Sequence, residues 1–275
     1  MGLIYKPLGV SSFKSLSSVK KHLSQKKVGH MGTLDPLAEG CLPFASGGLT
    51  SLIPIVNKIP KVYEVEIYFG VSSKSVDFEF VDSDSLDFKK INFDIDQIKE
   101  FLNSLIPKYS QIPPNFSAKH INGKRAYELA RSGEDFELPS KDVDFFSYKV
   151  LSVNDPVLKL EISCGEGFYV RSLVIDIAKH LNLDAFMYSL KRTKVGLFEL
   201  NNLNPGEIQI LDLKHLFPEA FYSNLNQKEF ENLKFGIAPK FSCQNQIIFA
   251  FYEKVLVYFS YNLDSVLKQK FLINS

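Results

Sequence analysis

The segment "VYEVEIYFG" (62–70) constrains this chain more than any other. In it Tyr63, Val65, Ile67 and Phe69 alternate with Glu64, Glu66 and Tyr68. Alternation with a period of two sends successive side chains to opposite faces of a strand. One face is therefore expected to be buried and the other left to charge. A second segment, "VLKLEISC" (157–164), puts Leu158, Leu160, Ile162 and Cys164 on one face. Sheets covered on one side only are typically antiparallel. Helical patterns are scattered among such strands without a steady βαβ rhythm. The expectation is an α+β fold with a mixed, largely antiparallel sheet and flanking helices.

The helices read as follows. "SSFKSLSSVKKHL" (11–23) places Phe13, Leu16, Val19 and Leu23 near one face and most lysines opposite, with Ser11 or Ser12 as N-cap. "DIDQIKEFLNSLIP" (94–107) is a short amphipathic helix stopped by Pro107. A Gly-x-Gly turn at 165–167 precedes a helix that buries Leu173, Val174, Ile177 and Leu181. Residues 72–92 are acidic and serine-rich and read as a loop. "QIPPNFSAKHINGKRAYELARSG" (111–133) opens with Pro-Pro and ends as a short helix closed by Gly133. Beyond the "NPG" break at 204–206, "QIIFAFYEKVLVYFSY" (246–261) reads as a β-hairpin.

The net charge of +1 hides an uneven distribution. Lysines 6, 14, 20, 21, 26 and 27 precede the first carboxylate of the chain, Asp35. Such a basic pole is either a solvated face or a phosphate-contacting surface. Cys41, Cys164 and Cys243 are far apart and form no CxxC pair, so neither a zinc site nor a disulfide framework is expected. The glycines match neither a Walker loop nor a dinucleotide fingerprint. The first residues have no apolar h-region, and no apolar run approaches a membrane span.

Four residues stand out as candidates for chemistry. Asp35 sits before Pro36, among Gly29, Gly32 and Gly40. Proline holds the preceding residue extended, so this carboxylate is either a simple turn initiator or a rigidly presented group. Arg171 opens a helix. Taken alone it reads as a solvated end residue; the alternative is an inward turn to pair with a carboxylate. Tyr63 is either ordinary core or a platform for stacking a base. Tyr169, two residues before Arg171, would face the same side in extended geometry.

Several motifs, in order from about residue 4 to residue 198, resemble those of the TruB-type tRNA pseudouridine synthase family. Lys6 to Ser12 resembles KPxGxTS, and Gly29 to Gly40 resembles GHxGTLDPxAxG. Lys61-Val62-Tyr63 with Gly70 is similar to the KxY…G strand. "CGEGFYVRSL" and "LKRTKVGLF" are similar to CxxGxYxRxL and LxRTxxGxF, and 111–133 resembles an RNA-gripping thumb. Tyr5, Met31, Ser51 and His120 depart from the family's usual residues, and of a TDTxDxxG stretch little more than Asp77 is kept. None of these departures removes a residue assigned to chemistry.

The resemblance implies isomerisation of uridine-55 in the T-loop of tRNA to pseudouridine, by base flipping and aspartate-dependent cleavage and re-formation of the glycosidic bond. It assigns Asp35 as nucleophile or base, with Arg171 beside it holding the carboxylate charged. Tyr63 would stack on the base, Tyr169 would sit opposite as a proton acceptor, and Leu190 would line the site. His30 would contact RNA, and Lys20, Lys21, Lys124, Arg125 and Arg131 would meet phosphates. The chain would act in the cytoplasm as a monomer, with no metal, cofactor, membrane or protein partner. Residues 1–204 would form the catalytic domain, with the thumb at about 108–140, and 205–275 a small C-terminal domain like a reduced PUA domain. The alternative function is a non-catalytic tRNA-binding folding chaperone on the same scaffold.

Overall fold

In the computed structural model the described residues are 1–81, 86, 90–114, 116, 120, 121, 124, 125, 129, 136, 138–239, 241, 247–253, 255–261 and 267–273. One large sheet takes β1 (Gly2–Lys6), β2 (Val28–His30), β3 (Ala38–Ser46), β4 (Lys61–Phe69) and β5 (Lys108–Gln111). A separate two-stranded ribbon follows, β6 (His120–Ile121) and β7 (Lys124–Arg125). The large sheet then resumes with β8 (Lys141–Asn154), β9 (Val157–Cys164), β10 (Ala185–Val195), β11 (Phe198–Glu199) and β12 (Ile208–Ile210). Its order is β12-β1-β3-β10-β4-β9-β8-β5, with β2 beside β3 and β11 beside β10. Only the β3–β10 pairing in it is parallel, so the sheet is mixed and largely antiparallel, as expected.

The alternation in β4 sets the register. Tyr63, Val65 and Ile67 pair with Ile162, Leu160 and Leu158 of β9. These side chains form one core with Ile98 and Leu102 of α2 (Ile95–Ser104) and Leu173, Val174 and Ile177 of α3 (Val170–Leu181). A one-residue slip would turn that whole face to water, so a single register is strongly selected. The opposite face of β4 is polar where Glu64 and Glu66 meet Lys159 at 3.2 and 3.6 Å. Tyr68 departs from the expected pattern: it is buried beneath Phe186 and Tyr188 of β10. The loop after β4 also folds back, setting Phe78 against both rings.

Helix α1 (Ser12–His22) starts at Ser11, whose side chain accepts from the Lys14 N–H. It buries Ser12, Ser15, Leu16 and Val19 against Ile4, Leu42 and Phe44. Phe13 corrects the sequence expectation, being 73% exposed. The cause is Ser12, which is drawn inward to the backbone of Leu34 and so rotates position 13 outward.

The expected C-terminal hairpin is the middle of a second sheet of four strands. These are β13 (Phe221–Asn224), β14 (Ile247–Tyr252), β15 (Val255–Tyr261) and β16 (Leu267–Ile273). Two short helices, α4 (Leu213–Leu216) and α5 (Gln227–Lys234), flank β13. Phe249, Leu256 and Tyr258 share a core with Met1, Leu3, Met31 and Cys41, so this sheet packs on the N-terminal side of the large one. The stretch expected to form the thumb begins as a strand of the large sheet, because β5 pairs with β8. The helix expected at 126–133 falls almost wholly outside the described residues.

Candidate active site

A cavity of about 300 Å³ opens where the loop between β2 and β3 meets the start of α3. Gly32, Thr33, Leu34 and Asp35 form one wall; Gly167, Phe168, Tyr169, Val170 and Arg171 form the other. Lys61, Tyr63, Leu190 and Arg192, from the facing strands β4 and β10, complete it. Asp35 is the only carboxylate among these residues.

Asp35 meets Arg171 across the cavity, with Nη2 to Oδ2 at 2.8 Å. The arginine side chain is only 7% exposed against 40% for the aspartate. Arg171 is thus turned inward, contrary to what its position at a helix start suggests in isolation. Burying a guanidinium is costly unless its donors are used. Here they also serve the Ser75 carbonyl at 3.3 Å and the Phe116 carbonyl at 2.9 Å. A lysine could not reach three such acceptors in one plane.

The Asp35 loop is clamped from beneath. Lys6 is fully buried and donates to the carbonyls of Pro7 and Pro36, at 3.0 and 3.2 Å. The Gly9 N–H adds a bond to the Pro36 carbonyl. Ser12 donates to the Leu34 carbonyl and accepts from the Leu34 N–H, both at 2.9 Å. Arg192, 1% exposed, donates to the carbonyls of Cys41 and Gly32, at 2.8 and 2.9 Å. Gly40 must be glycine: its φ is +110°, and a Cβ would lie 2.3 Å from the Arg192 carbonyl across the parallel β3–β10 pairing.

The two tyrosines differ. Tyr63 is buried and stands opposite Arg192 in the β4–β10 register. Burial raises its phenol above the ordinary range despite that arginine, so it stays neutral. Tyr169 is half-buried, and burial raises it too, with Arg171 opposing and Asp35 assisting. Lys61 and Lys6 are lowered, chiefly by burial, Lys6 to about 8.

Asp35, Tyr63, Tyr169, Arg171 and Leu190 are therefore brought together. His30 is not among the residues lining the cavity. It lies on β2 opposite Phe44, half-buried, and its Nδ1 has no hydrogen-bond partner among the described residues. Lys20 and Lys21 are on α1, with Lys20 Nζ 5.8 Å above the Phe13 ring. Lys124 and Arg125 lie on β7, where only the backbone is described, and Arg131 lies outside the described residues. Sequence reasoning gave no role to Lys61 or Arg192, took Ser12 only as a candidate N-cap, and saw Lys6 only in the basic pole and the KPxGxTS-like motif. All four lie in the quoted motifs, but Lys6, Ser12 and Arg192 bond to backbone groups far away in sequence, which no local period reveals.

Residues 20–170 match the family described as TruB family pseudouridylate synthase, N-terminal domain. Among curated proteins, tRNA pseudouridine synthase B of Campylobacter concisus is 41% identical over 221 residues, covering 80% of this chain and 79% of that one. The same-named protein of Clostridium novyi is 35% identical over 240 residues, covering 83% and 82%. A crystal structure of a Cbf5-Nop10-Gar1 complex superposes with a TM-score of 0.62 at 18% identity, over all of this chain and 84% of that one. At that identity the likeness concerns the fold. With the motifs, the cavity and these relatives in agreement, the chain belongs to the TruB family of pseudouridylate synthases and is a tRNA-modifying isomerase.

Proposed function

We propose that this chain converts uridine-55 in the T-loop of tRNA to pseudouridine, with Asp35 as the reacting group. The observation that carries this reading is the single carboxylate of the cavity, held at 2.8 Å from a buried arginine between two tyrosines. The reaction breaks the bond from C1′ to N1 of the uracil and makes one from C1′ to C5; the C5 proton then leaves and N1 takes up a proton, so the composition is unchanged. Nothing is oxidised or reduced. An ionised carboxylate serves this chemistry as nucleophile or base.

The cavity is at the small end for ligand sites, which suits one nucleoside turned out of its stack. Tyr63 presents a ring against which the base stacks, and its neutral phenol keeps added charge away. Leu190 gives the apolar side, and Tyr169 faces the base from the α3 wall as proton acceptor. Arg171 holds the Asp35 carboxylate in place. Lys20 and Lys21, with Lys124, Arg125 and Arg131, meet phosphates, and His30 contacts RNA near the mouth. We assign catalysis to residues 1–204, and to 205–275 a supporting C-terminal unit. The chain works as a monomer on the T-arm in the cytoplasm, a reading supported by the free buried thiols Cys41 and Cys164. Among the described residues no helix is long and apolar enough to cross a membrane.

The test is to map pseudouridine in unmodified tRNA incubated with the purified protein and with Asp35→Asn. The wild type should modify position 55. The variant should bind tRNA with near-normal affinity and lose activity by several orders of magnitude. Turnover by the variant comparable to wild type would remove Asp35 from the chemistry; binding without modification by the wild type would favour the chaperone reading.

A further inference from the structure

Tyr169 is held by its backbone, and the group that holds it comes from the strand that leads into the thumb region. Gln111 ends β5 and is 1% exposed. Its Nε2 donates to the Tyr169 carbonyl at 2.8 Å, and its Oε1 accepts from the Tyr169 N–H at 2.7 Å. Tyr169 has extended backbone angles, φ −113° and ψ 112°, immediately before α3. The amide thus completes on one residue the two-bond pairing that a neighbouring strand would supply.

This pairing fixes what residue 111 can be. The Tyr169 N–H needs an acceptor and its carbonyl a donor, and a neutral carboxamide offers both side by side on one planar group. A glutamate in its charged form would keep the acceptor and turn a second oxygen against the carbonyl. The surrounding bonds reinforce the same junction. Ser172 Oγ donates to the Ile112 carbonyl at 2.6 Å, and the Tyr109 hydroxyl donates to Asp176. The first turn of α3 is therefore attached at several points to residues 109–112, directly before the Pro113-Pro114 step.

We propose that Gln111 is a positioning residue for the isomerisation, acting through Tyr169 by locking its backbone so that its ring faces the cavity. Gln111 is not among the residues that line the cavity; its effect passes through the residue it holds. The inference rests on the role assigned above to Tyr169, and the test separates the two.

Single-turnover pseudouridine formation and tRNA affinity would be measured for Gln111→Met, Gln111→Glu, Tyr169→Phe and the double variant Gln111→Met/Tyr169→Phe. Loss of both bonds should slow the Met variant by about tenfold or more while affinity stays within about twofold, with Glu intermediate. Adding Gln111→Met to Tyr169→Phe should slow it little further, because residues acting through one another are not additive. Wild-type rates in Gln111→Met, or full additivity in the double variant, would overturn the proposal. Wild-type rates in Tyr169→Phe would instead overturn the role given to Tyr169. If Gln111→Met does not fold, the Glu variant alone decides: a slowed reaction with retained affinity supports the proposal, and unchanged rates refute it.

Discussion

The two walls of the cavity are fixed by different chemistry. The Asp35 wall is held mainly by buried cations donating to backbone carbonyls, Lys6 to Pro36 and Arg192 to Gly32, with Ser12 on Leu34. Where the α3 wall meets β5 it is held by neutral groups, the Gln111 amide on Tyr169 and the Ser172 hydroxyl on Ile112. Both sets immobilise backbone. The first also adds positive charge around the carboxylate that Arg171 contacts from the α3 wall. The cationic clamp therefore offsets part of its own desolvation cost by facing an anion, whereas the neutral clamp has little such cost to offset.

Four variants would break or sharpen that contrast. The largest effect should come from Arg171→Lys, which spans the two walls. One ammonium cannot serve Asp35, Ser75 and Phe116 together, so activity should fall about 100-fold or more, read from pseudouridine yield. Next is Ser12→Ala, which strips both bonds from Leu34 and leaves a buried N–H unpaired. A loss of about 1–3 kcal/mol in denaturant unfolding is expected. A shift confined to activity would mean that the loop finds another partner.

Third, Lys20→Ala with Lys21→Ala tests whether the basic helix outside the clamp meets RNA. Affinity should drop, and the log–log salt slope should flatten by about 0.7 for each phosphate that the helix no longer neutralises. An unchanged slope would make this helix a solvated face. The smallest effect is the alkaline behaviour of Lys6. Burial lowers its ammonium from 10.5 to about 8. Between those values the unfolded chain keeps a proton that the native chain has released, so this group makes stability rise with pH there. Lys6→Met should lack that rise, giving a flatter profile than wild type between those two values in pH-dependent denaturant unfolding.

Much of the scaffold was readable from local pattern. The β4 and β9 faces and the buried side of α3 follow from periods of two or 3.6, and the cap falls on one of the two serines the sequence offers. The errors have one source. Phe13 fits the helical stripe of α1, yet a serine bond to a loop residue 22 positions away rotates it outward. Arg171 reads as solvated until Asp35, 136 positions earlier, lies beside it. Tyr68 belongs to a polar face until β10 and the following loop cover it. Periodicity reports which face of an element is apolar. It does not report which distant segment arrives to cover the other.

The parallel pairing between β3 and β10 has a consequence for how the protein is made. It joins Ala38–Gly40 to Leu190–Arg192, and β12 then covers the outer edge of β1 with residues 208–210. The Asp35 loop is thus synthesised early and receives its last supports from residues about 150 positions later. Pairings this distant in sequence form slowly, because the intervening chain must first be ordered. A nascent chain released before residue 192 would carry Asp35 and Arg171 but lack the strand that seats the loop. The seat of the Asp35 loop is therefore completed only once β10, the last of the large sheet's central strands, has been made.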